Sequence, residues 1–115
     1  MIMILQILKI IAAIGTIATG FISLIWPQSV TGFTGLSPES SRGITEIRAV
    51  LGGAFVGLGA APLILNAQAA YRVLGIMYLA VAVVRGASMI IDKSVVQSNV
   101  ISIVVEIVFG IILVL

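Results

Sequence analysis

The stretch Ile44–Ala61, ITEIRAVLGGAFVGLGAA, is the most informative part of this chain. It begins with two charges, Glu46 and Arg48, and continues as an apolar run that is rich in glycine. A helix on the surface of a soluble protein would carry a polar outer face. This stretch has no such face, so it predicts a membrane-spanning helix whose charged start lies at or just inside the edge of the bilayer.

The composition of the whole chain supports the same conclusion. Of its 115 residues, 61% are hydrophobic and 9% are charged, whereas roughly 25% are charged in an average soluble domain. The length suits one domain, predicted to span residues 1–115. Cys and His are both absent, which excludes disulfides, thiolate chemistry and His-based metal or catalytic sites. No basic patch is present to bind nucleic acid, and no residue type here indicates a metal or a covalent cofactor.

Four apolar segments predict an all-α fold, an antiparallel bundle of four transmembrane helices. The predicted spans cover about residues 2–26, 44–65, 71–91 and 99–115. At about 1.5 Å per residue, such segments match a hydrocarbon core ~30 Å thick. The protein is therefore expected to be a multi-pass membrane protein, in contact with the lipid bilayer.

The connection 27–43 is rich in Ser, Thr, Gly and Pro, which favour turns. Ser37 as N-cap and Pro38 at the first helical position predict a short helix within it. The connection is a candidate lid or partner contact, with an ordinary connector as the alternative.

Small residues at helical spacing predict which helix faces pack together. The second span carries the ridge Gly53-x-x-x-Gly57-x-x-x-Ala61. The first span carries a weakly polar stripe, made of Ala12, Thr16, Thr19, Gly20 and Ser23.

Four basic residues are predicted to be interface charges: Lys9, Arg42, Arg72 and Lys93. Lys9 lies in the first turns of the first span, where a lysine side chain can extend to the lipid headgroups.

Topology predicts where two charges inside the spans meet. Arg85 lies six residues before Ile91, and Glu106 lies six residues after Val100. Both are therefore roughly 9 Å inside the same membrane face, on adjacent helices that run in opposite directions. Because an ionised side chain facing lipid costs about 2.5–3.5 kcal/mol, Arg85 and Glu106 are expected to form an ion pair.

A buried polar cluster is predicted around this pair. Its expected members are Glu46, Arg48, Tyr78, Arg85, Asn99, Ser102 and Glu106. Two roles remain open for the cluster: it fixes the register of the helices, or it lines a ligand site or a proton path. No member is predicted to be catalytic, because nothing nearby indicates a nucleophile or a metal site.

The sequence also resembles a known family. GITEIRAVLGGAFVGLG (43–59), which follows the TGFTGLSP loop, resembles a bacterial family of small four-helix membrane proteins of unknown function. The likeness continues through YRVLGIMYLAVAVVRGASMIID (71–92) and EIVFG (106–110). That family is distantly similar to DoxX-like membrane proteins, some of which are small subunits of quinone-linked oxidoreductases. The resemblance implies a four-helix bundle with a polar site near one membrane face, located in a bacterial inner (plasma) membrane.

Two classes of function remain open. The first is a non-catalytic protein: an accessory subunit of a membrane complex, or a binder of a lipid- or quinone-like molecule at the Arg/Glu cluster. Other membrane subunits or a second copy of the chain are its possible partners. The second is a small proton-coupled transporter that uses Glu106. An enzyme is less favoured, although Glu46 and Glu106 are an acid–base pair in principle.

Overall fold

The computed structural model describes residues 2–115, with side chains from residue 3 onward, so Met1 of the predicted domain lies outside it. All regular structure in these residues is helical, and four helices are long and apolar enough to cross a membrane. The predicted fold class is confirmed. The helices are α1 (Ile2–Ile25), α2 (Thr31–Thr34), α3 (Ser41–Glu46), α4 (Phe55–Leu65), α5 (Gln68–Ile91) and α6 (Gln97–Val114).

Two further segments complete the helical structure. A 3₁₀ helix, Pro27–Val30, precedes α2. A π-helical segment, Ile47–Ala54, joins α3 to α4, so that Ser41–Leu65 is one continuous span. Pro62 lies inside α4 without ending it. The predicted N-cap Ser37 is wrong: Ser40 precedes α3, and its hydroxyl accepts the backbone N–H of Gly43 at 3.1 Å.

Helix α1 packs along α4 and the π-helical segment through glycines. A Cβ on Gly59 would lie 2.8 Å from the carbonyl oxygen of Ala13, and a Cβ on Gly20 would lie 2.8 Å from that of Gly52. Only glycine permits backbones to approach this closely. The packing residues Gly52 and Gly59 are seven positions apart, which is about two helical turns along one face.

The predicted packing ridge of the second span is therefore wrong. A Cβ on Gly57 would meet nothing within 4 Å, and Gly53 is exposed. Gly57 is two residues from Gly59, hence about 200° around the helix. The ridge faces away from α1, toward the space that lipid fills.

Helix α5 packs along α6 in the same manner. A Cβ on Gly75 would lie 3.0 Å from the carbonyl oxygen of Gly110. Close to this crossing, the core joins α1, α5 and α6 through Leu74, Leu113 and Ala13, none of which is exposed. Exposed Ile, Val and Leu side chains cover the outer faces of all four spans.

The stripe predicted on α1 does face inward, with Thr16 and Ser23 almost fully buried. The prediction that Lys9 extends to the lipid headgroups is wrong, because Lys9 is only 2% exposed. Its ammonium group donates to Oε1 of Gln68 at 2.9 Å. The reason is angular: Lys9 precedes Ala12 and Ala13 by three and four residues, so it shares their buried face.

Candidate functional site

The Arg85 and Glu106 side chains form the expected ion pair between α5 and α6. Nε of Arg85 donates to Oε1 and Oε2 of Glu106 at 2.8 and 3.1 Å, and Nη2 donates to Oε2 at 2.8 Å. The Glu106 side chain is 10% exposed and that of Arg85 is 29% exposed. Two-point contacts of this kind fix orientation and are stronger than neutral hydrogen bonds.

Asn99 connects this pair to the turn between α5 and α6. Nη1 of Arg85 donates to Oδ1 of Asn99 at 2.9 Å, and Nδ2 of Asn99 donates to the carbonyl oxygen of Ser94 at 2.9 Å. Three of the five guanidinium N–H groups are therefore engaged, which leaves two for other acceptors.

Tyr78 lies two helical turns before Arg85 on the same face of α5 and is buried. Its hydroxyl is 2.6 Å from Oγ1 of Thr16, which itself donates to the carbonyl oxygen of Ala12 at 2.8 Å. A threonine hydroxyl has one hydrogen, so both contacts form together only when Tyr78 donates to Thr16. The phenolic oxygen of Tyr78 then keeps free lone pairs as acceptors. Its ring packs edge-on against Phe109, with the ring centroids 5.6 Å apart.

These side chains border a cavity of about 260 Å³. All four spans contribute to its wall, and Phe33 and Thr34 of the 27–43 connection complete it. The polar lining residues are Thr19, Ser23, Thr34, Tyr78, Arg85, Ser102 and Glu106, and the apolar ones are Phe33, Leu51, Phe55, Ile101, Val105 and Phe109. The cavity thus combines a largely apolar lining with a few converging polar groups, as small-molecule sites do.

Arg85 also borders a second, more open groove of about 470 Å³ on the outer side of α5. Its other lining residues are Ala80, Val81, Val84, Ser88 and Asn99. The guanidinium group therefore contributes to both an interior cavity and an outward-facing groove.

The structure brings five of the seven predicted cluster residues together: Tyr78, Arg85, Asn99, Ser102 and Glu106. Ser102 contributes to the cavity wall without a hydrogen bond to another side chain among residues 3–115. Asp92, which closes α5, accepts a hydrogen bond from Ser88 at 2.6 Å and belongs to the exposed end of the helix.

Glu46 and Arg48 do not join the cluster. Glu46 is exposed and forms an ion pair with Arg42, four residues earlier on the same helix. Arg48 is also exposed, and within the described chain no ion pair connects either residue to Arg85 or Glu106. The cause is the position of the second span along α1. Gly52 packs against Leu24 in the last turn of α1, so Arg48, about one turn earlier in its own helix, lies beyond the end of α1.

Sequence reasoning missed part of the cavity wall. Thr16, Thr19 and Ser23 were expected only to pack helices, but Thr19 and Ser23 line the cavity and Thr16 holds Tyr78. Their shared spacing of three and four residues was the available indication. The apolar residues of the 27–43 connection, Phe33 among them, indicated that part of it lies in the interface or folds back over the bundle, but only the structure shows that Phe33 lines this cavity.

One family model matches residues 4–115, and its description is a domain of unknown function, DUF4345. No curated protein and no solved structure matches the chain. The expected family of unknown function is thus confirmed at that level, whereas the DoxX-like link stays a prediction. Since the match covers nearly the whole chain, this four-helix protein belongs to the DUF4345 family.

Proposed function

We propose that the protein binds an oxygen-bearing lipophile, such as a lipid- or quinone-like molecule, in the cavity beside Arg85 and Glu106, and that it does so without catalysing a reaction. The observation that carries this proposal is the cavity itself. A pocket of about 260 Å³ among four apolar helices is lined by both hydrogen-bonding groups and aromatic and aliphatic groups.

The hydrogen-bonding capacity of the cavity supports this class of ligand. Arg85 retains two N–H donors and Ser102 offers a hydroxyl group, while Tyr78 and Glu106 keep free acceptor lone pairs. A ligand oxygen that accepts, or a ligand hydroxyl that donates, finds a partner here. Quinone carbonyls, quinol hydroxyls and lipid ester or hydroxyl groups all have this chemistry.

The size of the cavity favours a ring or headgroup over a whole lipid. Its volume of about 260 Å³ is slightly below the roughly 300–1,000 Å³ of pockets that enclose drug-sized ligands. A long tail would therefore remain in the bilayer, and the outer groove beside Arg85 offers it an apolar surface.

An accessory role in a membrane complex is part of the same proposal. It is supported by the resemblance to DoxX-like proteins and by the lack of an evident nucleophile. A bacterial plasma membrane is the proposed location, on the basis of the same resemblance.

Copurification with a matched pair of variants tests the proposal. The wild-type protein, purified in mild detergent, is extracted and its bound lipophile identified by mass spectrometry. Ser102→Leu fills the cavity and is expected to lose this molecule. Val104→Leu adds similar volume on the exposed side of the same helix and is expected to retain it. Equal retention by both variants, or no lipophile on the wild type, would contradict the proposal.

A small proton-coupled transporter is the alternative function, and the buried position of Glu106 supports it. Of the four acidic residues in the sequence, Glu106 is the one buried in the middle of a span. Both of its carboxylate oxygens already accept hydrogen bonds from Arg85, so a transport cycle would have to open this contact. Proton-coupled uptake into liposomes that disappears in Glu106→Gln would support the transporter, whereas uptake that survives this change would eliminate it.

A further inference from the structure

Lys9 is the most deeply buried charge in the described chain, and it lies at the opposite end of the protein from Arg85. Its residue is 2% exposed and its ammonium group has one side-chain partner, the amide oxygen of Gln68. Gln68 in turn donates to Oε1 of Gln6 at 3.0 Å, so the polar chain joins α1 to the start of α5. An ammonium group has three donors, and a neutral amide does not balance its charge.

Among residues 3–115, no carboxylate forms an ion pair with it. Glu39, Glu46 and Asp92 lie in or beside the connections at the other end of the bundle. Glu106 lies in the middle of α6 and is paired with Arg85. Burying an ionised group without a counter-charge is expensive, so an anion from outside the chain would stabilise a charged Lys9.

Two further positive features lie beside Lys9. Arg72 follows Gln68 by four residues, so it lies one turn along the same face of α5. The first turn of α5 has no side-chain cap at Ala67. Its backbone N–H groups therefore add the positive end of the helix dipole.

We propose that Lys9, Arg72 and the first turn of α5 bind the phosphate group of an anionic phospholipid in the leaflet at the α4–α5 turn. Arg72 donates to the phosphate from the exposed surface of α5, and the positive charge of the buried Lys9 attracts it from the inner side. This site is separate from the central cavity, and it does not depend on the ligand proposed there.

Lipid competition tests the proposal. The purified protein is given equal amounts of phosphatidylglycerol and phosphatidylcholine, and the lipids that stay bound are counted by native mass spectrometry. The wild-type protein is expected to retain phosphatidylglycerol preferentially. Lys9→Met removes one positive charge beside the phosphate and is expected to weaken that preference by about tenfold or more.

Two other variants keep the test decisive if Lys9→Met folds poorly. Arg72→Gln is exposed and leaves the Lys9–Gln68 bond in place, and it is expected to weaken the preference severalfold. Lys93→Met removes an exposed lysine at the other membrane face and is expected to change nothing. Equal loss in Arg72→Gln and Lys93→Met, or no preference in the wild type, would overturn the proposal. Displacement of the lipid by millimolar inorganic phosphate would overturn the assignment to a lipid.

Discussion

The substitutions Gly59→Ala and Gly57→Ala form a matched pair that tests the helix packing. The two glycines lie two residues apart in α4. A Cβ on Gly59 would lie 2.8 Å from the carbonyl oxygen of Ala13 and 3.0 Å from the backbone nitrogen of Ile17, whereas a Cβ on Gly57 would meet nothing within 4 Å. Because the atoms at Gly59 belong to the backbone of α1, the whole helix must shift.

The expected magnitude follows from the difference between the variants. Both changes gain the same helix propensity, up to about 1 kcal/mol. Only Gly59→Ala adds overpacking, which costs about 1–3 kcal/mol. Gly59→Ala should therefore be about 1–3 kcal/mol less stable than Gly57→Ala.

Reversible unfolding in mixed micelles, followed by far-ultraviolet circular dichroism, measures this difference in free energy of unfolding. Gly20→Ala is an independent check, since its Cβ would lie 2.7 Å from the backbone nitrogen of Val56 across the same interface. Equal stability of the Gly57 and Gly59 variants would refute the reasoning. A destabilised Gly57→Ala would show that this outer face packs against another helix.

Two further predictions concern the polar site. Arg85→Gln and Glu106→Gln should each lower the free energy of unfolding by about 3 kcal/mol, since each leaves a buried charge unpaired. The double variant should recover part of this loss. Additive losses in a double-mutant cycle would contradict a direct pair. Tyr78→Phe removes the donor to Thr16 and should cost about 1 kcal/mol in the same assay. A neutral Tyr78→Phe would mean that Thr16 is satisfied by its bond to Ala12 alone.

The sequence was sufficient for the four spans and for the Arg85–Glu106 pair. Apolar runs of sufficient length determine the spans, because backbone polar groups in lipid must be satisfied within the helix. Equal distance from a shared turn then places Arg85 and Glu106 at one depth, since every helix advances by about 1.5 Å per residue. Asn99 follows from the same helical spacing, in the first turn of α6.

Other residues depended on the way the helices pack. Glu46 and Arg48 begin the second span, but only the contact of Gly52 with Leu24 shows that they lie beyond the end of the α1 packing surface. Tertiary structure also decides that α1 packs against Gly52 and Gly59 and not against Gly53 and Gly57. Both pairs form a small-residue face, and their spacing in the sequence does not show which face packs.

The amino-acid sequence alone determines a hydrophobic environment, four membrane-spanning helices, and one ion pair between two helices that follow each other along the chain. Only the assembled helices decide that Lys9 faces inward and that Phe33 and Thr34 close a cavity above Tyr78 and Glu106. The physical reason is one of range. Helix formation and depth in the membrane follow from local spacing along the chain, whereas rotation and sliding between distant helices follow from close backbone contacts made only in the folded protein.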